Sequence, residues 1–267
     1  MDLALSIAQS GLEAQHKNLE IISNNLANAN TPAFKKSRAE FEDLPYIMQR
    51  QPGVQTTQET KSPNGLLMGT GTRLVGNSKV YTDGAPQQTG RSLDLAIQGR
   101  GFFQVQQPNG GGFAYTRAGH FVVNDQAQIT MPNGYVLQPP VTLPPQYTSL
   151  DISADGIVQV TVPGNSTPQQ LAQLQLADFV NPDGLQPIGQ NLYLSTVSSG
   201  TEILGSPTAG PGSSTGYGSL NQGFIEGSNV NVVEEMVNLI EAQRAFEVTS
   251  KAVSSVDTMM DDLNRAV

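Results

Sequence analysis

The two ends of this chain carry apolar residues at strict seven-residue spacing, and the residues between them read as β. At the N-terminus the series is Leu5, Leu12, Leu19 and Leu26; at the C-terminus it is Val232, Leu239, Phe246, Val253, Met260 and Val267. A repeat of seven keeps one stripe of an α-helix facing a partner along its length, as in helices that supercoil against other helices. With such repeats at opposite termini, the chain is expected to leave from and return to one helical base. The fold class that follows is mixed α and β: terminal helices packed as a coiled-coil-like base, with an antiparallel β-rich body inserted between them. That layout suits a subunit that packs with copies of itself, and not an enzyme.

The first helix is expected from about Asp2 to Ala29. Ile7, Ala8, Ala14, Ile21 and Ile22 widen the leucine stripe to a core-facing width. Thr31-Pro32 ends it, because the residue before proline is pushed out of the α region. About 27 residues at 1.5 Å each span ~40 Å, too long a stripe for one small domain to cover. The second helix is expected to open at Ser228-Asn229 as N-cap, with Glu234 and Glu235 near the positive end of its dipole. Beside its apolar series run Glu235, Ala242, Thr249, Val256 and Leu263, a mixed set that points to packing among several helices.

Between the helices, residues 33–43 read as a charged joint and residues 46–72 as an extended polar linker segment, a long connection or a β-ribbon and not a packed core. The β body is expected over 73–223, and the helical domain over 1–45 plus 224–267. Short apolar or alternating runs such as 74–81, 93–98, 102–106, 113–116, 157–162, 171–179 and 192–196 are separated by Asn133-Gly134, Asp155-Gly156 and Pro182-Asp183-Gly184. Such dipeptides supply the positive φ that tight hairpins need. Val158, Val160 and Val162 alternate as one buried face requires.

Composition narrows the function classes. Charged residues are 14% of the chain and the formal net charge is −9, against nucleic acid as a partner, which calls for clustered Lys and Arg. No Lys or Arg occurs between Arg117 and Arg244, a gap of 126 residues. That gap fits a neutral, amide-rich β surface, and equally a surface that meets other subunits through hydrogen bonds and shape. Cysteine is absent, which removes disulfides, thiol catalysis and Cys-based metal sites together. No run approaches the ~20 apolar residues of a membrane span, and Met1 leads directly into an amphipathic helix with no signal-peptide pattern. On pattern alone the chain reads as cytoplasmic.

The candidates for chemistry are few. His16 lies beside the leucine stripe with no second ligand at metal spacing. His120, near Arg117 and Asp125, lacks an accompanying nucleophile motif. Gly99-Arg100-Gly101 and Gly69-Thr70-Gly71 precede no helix and lack a following Gly-Lys-Ser/Thr, so they read as bulges or turns and not phosphate loops. No catalytic, metal or cofactor site is expected.

Three long motifs then carry a resemblance. NNLANANTPAFKKSRAEFED (residues 24–43) resembles the N-terminal signature of the flagellar rod and hook axial protein family, and SNVNVVEEMVNLIEAQRAFEVTSKAV (228–253) its C-terminal signature. LDLAIQGRGFFQV (93–105) with YTRAGHF (115–121) is similar to the family's β body. The pattern, with YIMQRQPGVQTTQETKSPNG (46–65), is most similar to distal-rod members; hook members generally lack that segment and carry an extra outer domain. The chain departs from the family at Pro32-Ala33, where glycine usually precedes Phe34, and alanine tolerates positive φ less well.

The resemblance implies a structural subunit of the rod that links motor to hook, exported unfolded through the flagellar type III apparatus without signal cleavage, which replaces the cytoplasmic reading. Implied partners are further copies of the chain in a helical tube, the proximal rod proteins, the hook protein and the P and L rings, with no nucleic acid and no membrane span. The expected polymerisation seam is Leu5, Leu12, Leu19, Leu26, Val232, Leu239, Phe246, Val253 and Met260. Residues 46–65 would act as a stiffening wedge, although their composition also suits a passive linker. A proximal rod or short hook subunit is the alternative within the family. A secreted β-rich glycan-binding or glycan-cleaving protein is the alternative outside it.

Overall fold

The computed structural model describes residues 2–51, 64–108, 111–164, 167–207 and 217–266. It divides into two compact units: Met1–Ala27, Ser37–Val80 and Asn231–Val267 form one, Asn28–Lys36 and Tyr81–Val230 the other.

The first unit holds α1 (Asp2–Ala27), β1 (Ser37–Asp43), β2 (Ile47–Arg50), β3 (Leu66–Met68), β4 (Thr72–Lys79) and α2 (Val232–Ala266). The two helices pack on each other, and α1 also packs on β1 and β4. The charged joint expected after α1 is thus mostly a strand: β1 runs antiparallel to β4, Ser37 opposite Lys79 and Asp43 opposite Thr72, with a bulge at Glu40/Phe41. Charge along residues 35–43 hides this strand, because its pairing partner lies beyond the reach of local pattern. β2 and β3 pair antiparallel as a further two-stranded hairpin.

The cap of α2 also differs from expectation. Asn231, not Ser228-Asn229, accepts from the Val233 and Glu234 amides through its side chain at 3.1 and 3.5 Å, and its carbonyl accepts from Glu235 at 2.9 Å. Three candidate Asn/Ser caps lie within four residues; Asn229 is drawn into other bonds described below.

The second unit is antiparallel β throughout its described strands. Its largest sheet runs through Gln186–Gly189, Leu192–Leu194, Phe113–Thr116, Phe102–Gln106, Val136–Leu137, Ile129–Thr130 and Val122–Val123. Leu176–Asp178 adds to Phe102–Gln106, and Ile203–Gly205 to Leu176–Asp178. A three-stranded sheet joins Ser149–Ile152, Ile157–Thr161 and Gln169–Gln173. Val158 and Val160 are buried as alternation requires, whereas the strand ends at Thr161 and Val162 is half-buried. The run 171–179, read as one strand, changes sheets in the middle. Leu174 is fully buried and donates its amide to the Gly156 carbonyl at 2.7 Å, one step beyond the Ile157–Gln173 pair; the partner strand turns away at Asp155-Gly156, and Leu176 pairs with Phe103 of the large sheet instead.

The core gathers Leu95, Ile97, Phe103, Val105, Phe121, Leu137, Leu174, Leu176, Leu192 and Leu220. A second cluster holds Phe102, Tyr115, Phe179 and Tyr193, with Tyr115 and Phe179 edge to face at 4.7 Å between centroids. Gly99 and Gly101 have φ of 106° and 129° between two strands, a turn and not a phosphate cradle.

Candidate functional site

Two sets of residues stand out, one in each unit. In the first unit the helices run antiparallel. Asn25 of α1 bonds Glu235 of α2 at 3.2 Å, and Gly11 lies against Thr249, where an added Cβ would sit 3.7 Å from the threonine methyl. The end of α1 and the start of α2 therefore lie side by side.

The residues most buried on the pair are Ala14, Ile22 and Asn25 on α1 and Glu235 and Ala242 on α2. Leu12, Leu19 and Leu26, with Leu239, Phe246, Val253 and Met260, are half-buried, and Leu5 (37%) and Val232 (38%) are exposed. The heptad residues thus flank the line of closest approach, which small side chains form because they let two backbones come near.

Asn25 is the anchor of this unit. Its amide nitrogen donates to the Ser37 carbonyl at 2.8 Å, and its amide oxygen accepts from the Ser37 N–H at 2.9 Å. At the other end of β4, the Thr72 N–H donates to Ser10 Oγ at 3.3 Å. Gly71 there has φ of 118°, and a Cβ on it would fall 2.1 Å from Ser10 Oγ. From Ser10 to Asn25, α1 rises ~22 Å, and the seven residues of β1 span ~23 Å. The ribbon matches the helix stretch it lies along.

In the second unit a buried charge cluster fastens four stretches of chain that are distant in sequence, around Lys35, Asp83, Arg117 and Glu226. Lys35, with no exposed surface, donates to the Glu226 carboxylate and to the Thr82 carbonyl at 2.7 Å. Arg117 donates through Nε to Glu226 at 2.9 Å and through Nη2 to Asp83 at 2.9 Å and the Gly99 carbonyl at 2.8 Å. Glu226 also accepts from the Gly84 N–H at 3.0 Å, and its carbonyl accepts from the Ala33 N–H at 2.8 Å. Two cations and two carboxylates balance. Burial, and secondarily Arg117, lowers the Lys35 pKa from its ordinary value, while Glu226 pulls it back up.

Asn229 completes the clamp: it accepts from the Lys36 N–H at 2.7 Å and donates to Thr82. That use explains why it does not cap α2. Lys35, Asp83, Arg117, Glu226, Asn229 and Asn25 were not singled out by sequence pattern as a site. The one available signal was Arg117 as the last base before the long gap, since Lys35 and Glu226 are 191 positions apart.

Neither histidine assembles chemistry. His16 pairs with Glu20 one turn on at 3.1 Å, and His120 with the buried Asp94 at 3.3 Å instead of Asp125. Arg100 is paired with Asp178 at 3.0 Å. Among the described residues no group of acidic and histidine side chains is placed to hold a metal, and no helix is long and apolar enough to cross a membrane.

Residues 5–35 match the family described as flagella basal body rod protein. Residues 96–160 match the flagellar hook protein FlgE/F/G D1 domain, and residues 221–266 the flagellar basal body rod FlgEFG protein C-terminal family. The flagellar basal-body rod protein FlgG of Buchnera aphidicola subsp. Schizaphis graminum is 45% identical over 262 residues, covering 98% of each chain. FlgG of Caulobacter vibrioides is 44% identical over 258 residues, 96% of each, whereas FlgF of the same organism is 32% identical over 262 residues, 96% of this chain and 94% of that one. The chain belongs to the FlgG family of flagellar basal-body rod proteins, structural subunits of the distal rod and not enzymes.

Proposed function

We propose that the chain polymerises through its terminal helices into a rigid helical tube that carries torque from motor to hook. The observation that supports this most directly is the incomplete cover of the helix pair. The expected seam residues Leu12, Leu19, Leu26, Leu239, Phe246, Val253 and Met260 are half-buried in the single chain, and Leu5 and Val232 are exposed. Fully burying a leucine is worth about 1.5–3 kcal/mol, so covering the remainder is a source of assembly energy. Identical subunits joined by a non-closing rotation build a helical filament and bury such surface.

Family membership implies assembly with other rod and hook components. The finer reading is that the proximal rod proteins and the hook protein abut the tube and the P and L rings surround it. On the same reading the chain crosses the periplasm after export through the flagellar type III apparatus without signal cleavage. Support for these comes from the motifs shared with the family.

Residues 46–65 are read as a wedge that stiffens the tube. The part from 52 to 63 lies outside the described residues; pairing of β2 with β3 holds its two flanks together. Electron microscopy of the purified chain at high concentration is expected to show straight tubes, and Leu19→Glu or Val253→Glu to abolish them with the β body still folded. Deleting 46–65 is expected to give tubes that bend. Tubes unaffected by both seam substitutions would overturn the helical seam, and rigid tubes after the deletion would overturn the wedge.

A further inference from the structure

The chain has seven methionines and no cysteine, so two-electron oxidation by a peroxide falls on thioethers. Accessible thioethers react first. Met131 is buried in the core of the β body at 5% exposure, whereas Met48 (53%), Met236 (49%) and Met259 (55%) are open.

The surroundings of Met236 separate it from the other two. It lies on the first turns of α2 beside Val233, Val237 and Ile240, all exposed. At 100° per residue these four share the side turned away from Glu235, which meets Asn25 of α1. The residues three and four positions from Met236 are Val232, Val233, Leu239 and Ile240, and none of their side chains carries a hydrogen-bond donor. Exposed Glu234 and Glu241 flank the stripe, and an ionised carboxylate only accepts. Met259, by contrast, has the Ser255 hydroxyl one turn before it. Met48 stands opposite Leu67 in the β2–β3 hairpin, a separate surface.

A peroxide gives its terminal oxygen to a thioether. The sulfur lone pair forms the S–O bond, the O–O bond breaks, and the displaced hydroxide takes up a proton to leave as water. Sulfur is oxidised by two electrons and the peroxide is reduced by two. The product is a polar, hydrogen-bond-accepting side chain in place of an apolar one. At position 236 the new oxygen is solvated while the stripe is open, and it has no donor on its own chain once the stripe is covered. We propose that Met236 is a modification site for peroxide-class oxidants, and that its sulfoxide keeps the free subunit out of the polymer. This rests on the rod reading, in which the open apolar surface of the terminal helices is covered on assembly.

The test uses the full-length chain with Met48→Leu and Met259→Leu, apolar replacements of similar volume, and the same chain with Met236→Leu added. Both are treated with hydrogen peroxide until peptide mass spectrometry finds one added oxygen at Met236 of the first chain. Sedimentation across a concentration series then reads assembly. Oxidation at Met236 is expected to raise the assembly concentration about tenfold or more, with the subunit's circular dichroism unchanged and Met131 unmodified. The chain with Met236→Leu, treated alike, should assemble as it did before treatment. Methionine sulfoxide reductases of both epimer specificities should restore assembly of the first chain. If oxidation disturbs the fold, Met236→Gln in untreated protein is read in its place, with a shift in the same direction. An unchanged assembly concentration after oxidation, or equal inhibition of the Met236→Leu chain, overturns the oxidation site while wild-type tubes keep the rod reading. Wild-type protein that is monomeric at every concentration overturns both.

Discussion

Lys35 and Glu226 are separated by 191 positions in the chain, yet they form an ion pair in which neither side chain reaches solvent. Arg117 holds the second oxygen of the same carboxylate. Glu226 is therefore the hub on which the stretch after α1 and the stretch before α2 are both fastened to the β body's own Arg117.

Removing one partner of a buried pair costs more than the pair contributes, because the other charge is left unpaired, typically 3–5 kcal/mol. Glu226→Gln leaves two buried cations without their shared anion; Lys35→Met leaves Glu226 still bonded to Arg117 and the Gly84 amide. The expected order is therefore a loss of about 3 kcal/mol for Lys35→Met and a larger one for Glu226→Gln. Urea unfolding of the monomeric β body measures both, and equal or inverted losses would remove Glu226 as the hub.

Asn25 gives a prediction with a pH sign. Its amide nitrogen faces the Ser37 carbonyl and the buried Glu235 carboxylate. Asn25→Asp replaces that donor with a second carboxylate next to Glu235, and like charges raise a carboxyl's folded-state pKa. A carboxyl with a raised folded pKa gives stability that is complete below its unfolded value, about 4, and lost as pH rises through the raised one. The variant should keep its helices paired at pH 4 and lose protection in hydrogen exchange at pH 7. Wild type should not show that drop over the same interval.

These residues mark the limit of what local pattern discloses. The two heptad apolar series announced the helices, and the short alternating runs announced the β body, because periodicity is local. The strand Ser37–Asp43 was masked by its charges, and the sheet change at Leu174 was masked by a continuous apolar run. The clamp was illegible for a different reason. Lys35, Asp83, Arg117 and Glu226 are individually ordinary, and only the return of the chain to one place makes them a buried set. Similarly, Val233, Met236, Val237 and Ile240 read as part of an apolar helix; that they lie opposite the α1-facing side is settled by which residue meets Asn25.

The departure at Ala33 has a measurable consequence. Ala33 is buried at 2% exposure with φ of 57°, the left-handed region where a Cβ is strained by about 1–2 kcal/mol. Ala33→Gly relieves that strain, but it empties a methyl worth about 0.8 kcal/mol and adds freedom to the unfolded chain, worth roughly 0.4–1 kcal/mol. The expected change is within about 1 kcal/mol of zero. Ala114→Gly, at an equally buried strand position with no such strain, should lose about 1.5–2 kcal/mol. Thermal unfolding of the two variants should separate them by that margin; equal losses would mean that Ala33 is unstrained.

The aromatic cluster predicts how the fold fails in alkali. Burial first of all raises the phenol pKa of Tyr115 and of Tyr193 to about 12, and raises that of Tyr81 as well. In the unfolded chain a tyrosine ionises near 10. A phenol whose folded pKa is raised contributes stability that is fully present below the unfolded value and disappears as pH climbs through the folded one. The window is therefore pH 10 to about 12, in which the unfolded chain releases protons that the folded chain retains. Absorbance at about 295 nm should show these tyrosines ionising late and together with loss of near-ultraviolet circular dichroism, not ahead of it. Replacing Tyr193 by phenylalanine removes one of those phenols and keeps the ring packed on Phe102. That variant should unfold at higher pH than wild type; an unchanged alkaline midpoint would mean that Tyr193 ionises in place without opening the cluster.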